Sequence, residues 1–209
     1  MNKCYLVGAG DFVLDAFPDS SDLVIAADGG YDSLLAAGIK PDLIIGDMDS
    51  LKSEKTPHGI EVISFPVKKD ETDMLLGYIE GARRGYSEFV ILGGTGGRED
   101  HTFANYALLL YVKERGHSAT LVGRESNATV LKNEAALFRG KRGSRISVFA
   151  FGASAEGVFI DGLLYEASGV TLSPAFPRGV SNSFVGCDGH IRVENGALLV
   201  IFEKGVDKI

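Results

Sequence analysis

Short apolar runs alternate with amphipathic ones along the first half of the chain. "CYLV", "LVIAA", "LIIG", "IEVISF", "FVILG" and "ATLVG" are largely apolar and are bounded by turn-forming residues. Runs of that length with apolar residues on both faces predict strands covered on both sides, as in a parallel sheet. Between them, "GGYDSLLAAG", "ETDMLLGYIEGARRG" and "REDHTFANYALLLYVKERG" carry apolar residues at helical spacing. In the second of these, Met74, Leu75, Tyr78, Ile79 and Ala82 form the predicted inward stripe. Gly85 and Gly116 are placed to end their helices. Strand–helix alternation predicts a doubly wound α/β domain with a mostly parallel sheet over residues 1–124.

Past Gly123 the pattern changes. "ATVLKN", "AALFRG", "RISVFAFG", "GVFIDGLLYEAS", "GVTLSPAF", "HIRVEN" and "GALLVIFEK" follow one another with no helical stretch between them. Short spacings punctuated by Gly, Asn and Pro predict an all-β antiparallel sandwich or barrel over residues 125–209. "RVENGALLV" predicts a hairpin turning at Asn195–Gly196. No repeat, low-complexity segment or Pro-rich linker marks the boundary, so it rests on the change of pattern alone.

Composition narrows the function classes. At 45% hydrophobic and 23% charged residues the chain reads as an ordinary globular protein. A formal net charge of −7 argues against nucleic-acid or anionic-membrane partners, and means an anionic substrate needs a metal or a local basic pocket. Cys4 and Cys187 are too few for a disulfide framework and suit a reducing, cytoplasmic setting. The first apolar run is cut by Asp11 before it reaches signal-peptide length, and no charge-free stretch approaches the ~18 residues of a membrane span.

The chemistry sits where the strands end. Asp28-Gly29-Gly30 follows "LVIAA", and Asp47 and Asp49 follow "LIIG". Gly93 to Gly97, Arg98, Asp100 and His101 follow "FVILG", while Asp70 and Asp73 open the helix after "IEVISF". Ligands of open parallel sheets bind outside the carboxyl ends of the strands, so the four clusters are expected to share one rim. Two carboxylates one residue apart repel unless a cation lies between them, and Mg²⁺ favours one or two carboxylates plus phosphates and waters. Each cluster also has a structural reading. Asp70 can cap the "ETDMLL" helix with Asp73 as its capping partner, which does not exclude metal ligation. The glycine run ahead of a helix suits close approach of backbone N–H groups to phosphates. "GAGDF" after the first strand is a weaker signal of the same kind. The segment lacks the G-x-x-x-x-G-K-[ST] phosphate loop, and no Cys/His spacing suggests zinc.

Together these residues resemble the thiamine pyrophosphokinase family, whose pattern combines A-D-G-G, G-D-x-D-S, K-D-x-T-D and G-x-R-x-D-H. They stand here in that order as "ADGG" (27–30), "GDMDS" (46–50), "KDETD" (69–73) and "GREDH" (97–101). "GVSNSF" (179–184) resembles the family's thiamine-contacting segment. The resemblance implies Mg²⁺-dependent transfer of the β,γ-diphosphate of ATP to thiamine, giving thiamine diphosphate and AMP. It implies that Asp47, Asp49, Asp70 and Asp73 hold the metal and phosphates and carry catalysis. Asp28, Gly29, Gly30, Gly94, Arg98, Asp100 and His101 would bind the nucleotide, and Ser181, Asn182 and Ser183 the thiamine pyrimidine. It further implies a homodimer with active sites shared between chains.

Glu99 stands where the family more often has an aromatic residue, and Tyr31-Asp32 where Ala-Asn is common. The chain has no Trp, so a ring stacked on thiamine must be Phe or Tyr, with Phe184 as one candidate. Two other function classes compete. An aspartyl phosphatase would use D-x-D after an apolar strand but has no need of "KDETD" or "GREDH". A non-catalytic Mg²⁺–ATP sensor would bind nucleotide without turnover.

Overall fold

The apolar runs of the first half become parallel strands: β1 (Cys4–Val7), β2 (Leu23–Ala27), β3 (Leu43–Gly46), β4 (Glu61–Ser64), β5 (Glu88–Leu92) and β6 (Ser118–Val122). A computed structural model describes residues 2–15, 17–46, 59–66 and 68–209. Helices α1 (Gly30–Ala36), α2 (Asp73–Arg83) and α3 (Glu99–Glu114) connect the strands. The strand order is β6-β5-β1-β2-β3-β4, every neighbouring pair being parallel. Residues β1–β3 are buried on both faces, which is why their sequences show no polar alternation. Tyr5, Val7, Val24, Ala26 and Ile44 share one core with Tyr31 and Leu34 of α1. The alternate residues Leu6 and Ile25 meet α2 on the opposite face.

Helix α2 departs from the predicted stripe. Its buried residues are Met74, Leu76, Gly77, Tyr78 and Gly81, whereas Ile79 is exposed and Leu75 and Ala82 are only half-buried. The cause is glycine. A Cβ on Gly77 would stand 3.3 Å from Leu6, and one on Gly81 would stand 2.8 Å from the Cys4 sulfur. The face lacking side chains lets the helix backbone lie close to the sheet, a preference that apolar periodicity does not register. Gly85 and Gly116 do end α2 and α3, at φ +92° and +78°.

The second half is antiparallel. Strands β7 (Ser126–Lys132), β8 (Ala135–Arg139), β9 (Arg145–Ala150), β10 (Ala155–Asp161), β11 (Ala167–Leu172), β12 (Asn182–Ser183), β13 (Gly189–Asn195), β14 (Ala197–Glu203) and β15 (Asp207–Lys208) follow in order. One set runs β12-β9-β14-β7 and the other β11-β10-β13-β8-β15. Their inner faces share a core that includes Phe138, Val148, Ile160, Phe184, Ile191, Leu198 and Phe202. The predicted hairpin at Asn195–Gly196 is instead a crossover between the sets. Strand β13 pairs with β10 and β8, and β14 pairs with β7 and β9. The crossover is held by Asn133, whose Oδ1 accepts from the Gly196 N–H at 2.8 Å. A turn sequence between two apolar runs does not say whether they meet edge to edge or face to face.

Met1–Leu108 with Gly116–Arg124 form one compact unit, and Leu109–Arg115 with Glu125–Ile209 a second. No helix among the described residues is long and apolar enough to cross a membrane.

Candidate active site

The chain leaves β1 toward β2 and comes back to β5 on the other side of β1, so the loops after β1 and β5 part at the carboxyl end of the sheet. Open α/β sheets bind ligands at such a point. A cavity of about 470 Å³ opens there. It is lined by Gly8, Ala9 and Gly10 after β1, by Ala27 and Asp28 at the end of β2, and by Thr72, Asp73 and Met74 at the start of α2. Gly93, Gly94, Gly96, Gly97 and Arg98 before α3, with His101, Ala104 and Asn105 on it, complete the wall.

Two glycine loops are bonded to each other along this cavity. The Gly10 N–H donates to the Gly93 carbonyl at 2.8 Å, and the Asp11 N–H to that of Thr95 at 2.6 Å. A Cβ on Gly10 would run into the carbonyl oxygens of Thr95 and Gly93. Gly93 sits at φ +60°, and its Cβ would run into the Gly8 carbonyl. Asn105, buried on α3, donates through Nδ2 to the Gly94 carbonyl at 2.8 Å and so ties the second loop to the helix. Glycine backbone beside the N-terminus of a sixteen-residue helix is suited to phosphate oxygens. "GAGDF" thus contributes more than its weak motif suggests. Asn105 belongs to no motif; its trace in the sequence is a lone amide among the apolar positions of "FANYALLL".

The acidic residues divide. Asp28 lines the cavity in a left-handed conformation, φ +49°. Asp73 lines it as the first residue of α2, and Asp70 is exposed outside the lining. The cap of α2 is Thr72, whose Oγ1 accepts from the Leu75 N–H at 3.2 Å, so the expected capping role of Asp70 falls to Thr72. Asp47 and Asp49 lie outside the described residues. Gly29 and Gly30 do not line the cavity; a Cβ on Gly30 would collide with the Val7 carbonyl, which gives this glycine a packing role.

Among the described residues no group of three or more His, Cys, Asp or Glu side chains is arranged to hold a metal. One atom nevertheless suits a hard cation. Asp73 Oδ1 is buried and accepts no hydrogen bond from the described residues. Lys69 Nζ lies 3.0 Å from it, within ion-pair range but outside hydrogen-bond alignment. A buried carboxylate oxygen in that state is an available ligand for Mg²⁺.

Arg98 is 70% exposed and grips Asp100, with Nη2 to Oδ2 at 2.6 Å and Nε to Oδ1 at 3.1 Å. The hydrogen bonds from Arg98, aided by the His101 N–H, hold the Asp100 carboxyl down at about 2, against an ordinary 3.8. A depressed carboxyl favours the folded, paired form fully above its ordinary value and loses that effect as pH falls toward the lowered one. Asp100 is therefore expected to stay ionised from pH 7 to pH 4. A carboxyl-carbon NMR titration should place its midpoint near 2, and Arg98→Ala should return it toward 3.8. In this state the arginine is stored on its neighbour, and phosphate would compete for it.

In the second unit, Asn182 is buried and its amide is nearly spent on Tyr165 and Ser183. Oδ1 accepts from the N–H groups of Tyr165 and Ser183, each at 2.9 Å, and Nδ2 donates to the Tyr165 carbonyl at 2.6 Å. Ser181 is exposed at φ +59°, its N–H donating to Ser147 Oγ at 3.0 Å, and Ser183 is half-buried. A cavity of about 380 Å³ beside them is lined by Leu164, Tyr165, Glu166, Arg178, Val180 and Asn182, among others. Phe184 is 1% exposed within the core and presents no ring to a ligand there. Tyr165, 65% exposed on this cavity, does. Asn182→Ala should strand both backbone groups of Tyr165 and lower stability by about 2–3 kcal/mol. Urea unfolding measures this, and an unchanged midpoint would contradict the clamp.

The family model for the thiamin pyrophosphokinase catalytic domain matches residues 14–121, more than half of the chain. The chain belongs to the thiamin pyrophosphokinase family. Within that family it is 25% identical to the thiamine pyrophosphokinase of Bacillus subtilis (strain 168), over 90% of each chain. The crystal structure of thiamine pyrophosphokinase from Bacillus subtilis superposes with a TM-score of 0.86 at 23% identity, covering 97% of this chain and 99% of that one. The thiamin pyrophosphokinase from Candida albicans has a TM-score of 0.78 at 16% identity, covering 97% and 89%. At those identities the structures establish the family's fold in this chain, and the matched residues 14–121 span Asp28, Asp73, Arg98 and Asn105 of the cavity.

Proposed function

We propose that the chain is a thiamine pyrophosphokinase that transfers the β,γ-diphosphate of ATP to the hydroxyethyl oxygen of thiamine. The thiamine oxygen bonds to the β-phosphorus, the bond from that phosphorus to the α-bridging oxygen breaks, and AMP leaves. The hydroxyl proton passes to a carboxylate on the rim. The observation that carries this reading is the glycine-walled cavity at the strand switch, with a buried carboxylate oxygen at its edge that accepts no hydrogen bond from the described residues.

Each part of the wall has a role. The two glycine loops and the N-terminus of α3 receive the phosphate chain. Arg98, released from Asp100, meets phosphate oxygens, and Asp28 and His101 border the nucleotide. Asp73, with Asp70, Asp47 and Asp49, holds Mg²⁺, which when bound neutralises charge on the diphosphate. Residues 1–124 thus bind the nucleotide and metal, and residues 125–209 the thiamine. Ser181 and Ser183 face the pyrimidine, Asn182 positions their segment, and Tyr165 offers a ring to the cationic thiazolium. We place the chain in the reducing cytoplasm, a setting that two cysteines, too few for a disulfide framework, suit.

Incubation with ATP, Mg²⁺ and thiamine should yield AMP and thiamine diphosphate in equal amounts. ADP or inorganic phosphate as the sole product would refute the reading. The sites are proposed to be shared across a homodimer. Chains carrying Asp73→Asn, refolded with an equal amount of chains carrying Ser181→Ala and Ser183→Ala, should then regain roughly a quarter of wild-type activity. No recovery from verified mixed dimers would place each site within one chain.

A further inference from the structure

We infer that Lys69 is a built-in counter-ion: its ammonium stands in for the metal on Asp73 and moves to the polyphosphate when the metal–nucleotide complex enters. This rests on the reading of Asp73 as a metal-binding carboxylate. The Lys69 and Asp73 side chains are 13% and 27% exposed, so the pair is largely enclosed. The ammonium lies 3.0 Å from Oδ1, the same buried oxygen that accepts no hydrogen bond from the described residues. An ammonium and a divalent cation cannot both stay in contact with one carboxylate oxygen without strong like-charge repulsion. The lysine must therefore yield to the metal, and its flexible four-carbon stem permits that. An enclosed cation that has lost its carboxylate needs a new anion, and the phosphate chain arriving in the adjoining cavity supplies one.

The two neighbouring loops show the same storage of cations on acids. Arg98 is held by Asp100, and Arg124 lies 3.3 Å from Asp11. Those arginines are 70% and 68% exposed, so water can replace their partners at little cost. Lys69 lacks that option, which makes its exchange between partners consequential.

The test uses the whole protein with Lys69→Met, and Lys69→Gln as a second neutral variant. Calorimetric titration with Mg²⁺ in the absence of nucleotide should show binding about tenfold tighter than wild type, because the competing ammonium is gone. Titration with Mg²⁺ and a non-hydrolysable ATP analogue should show nucleotide binding about tenfold weaker, because the phosphate contact is gone. Lys69→Arg should keep most of the nucleotide affinity. A merely structural role would shift both affinities in the same direction or neither, and either result overturns the proposal. Asp73→Asn separates the two readings. If it leaves Mg²⁺ binding unchanged, the metal assignment fails and the counter-ion with it. If it abolishes Mg²⁺ binding while both neutral Lys69 variants bind Mg²⁺ as wild type does, only the counter-ion fails.

Discussion

Asp73→Asn is expected to lower turnover by at least about a hundredfold while leaving the fold in place. The amide keeps the shape of the side chain but loses the charge that a hard cation requires. Helix α2 loses no cap, because Thr72 provides it. The first-turn acid does favour the helix N-terminus, and the enclosed Lys69 loses its partner at 3.0 Å, so a clear fall in melting temperature should accompany the kinetic defect. Steady-state rates with saturating ATP and thiamine, together with circular dichroism, separate the two effects. Activity near that of wild type would remove Asp73 from the reaction.

The largest expected effect on stability is that of Gly30→Ala. Gly30 opens α1, and an added Cβ would run into the carbonyl of Val7 at the end of β1. That carbonyl belongs to a strand flanked by β2 and β5 and buried throughout, so it cannot move aside cheaply. Overpacking of this kind costs about 3 kcal/mol, which in a chain of this length lowers the melting temperature by about 6–12 °C. Because α1 follows Asp28 directly, nucleotide affinity should fall in parallel. A variant that melts with wild type would show that α1 can shift away from β1 at no cost.

Much of this was legible in the residues. Strands β1, β2 and β3 could be read because burial on both faces leaves an unbroken apolar run, as in "LVIAA", whereas β4, expected to be covered on both sides, is an exposed edge strand. The place of "ADGG" and "GREDH" at the ends of β2 and β5 marked the end of the sheet at which the cavity opens, since parallel strands deliver their following loops to one side. Other features were illegible for physical reasons. The inner face of α2 is set by Gly77 and Gly81, which contribute through an absent side chain. The cap passed from Asp70 to Thr72 because either side chain suits an N-terminus, and only the backbone path selects between them.

The sequence by itself determined the family, the parallel and antiparallel halves, and the chemical supply of carboxylates, glycines and basic side chains. These are properties of residue type and of spacing over a few positions. Only the tertiary structure decided that Asn195–Gly196 crosses between sheets, that Asn105 ties down a glycine loop, and that Asn182 spends its amide on Tyr165. It also placed Phe184 in the core and left a ring of Tyr165 exposed. Each of these depends on which distant segments meet: an amide or a ring has many possible partners, and the packed backbone selects among them.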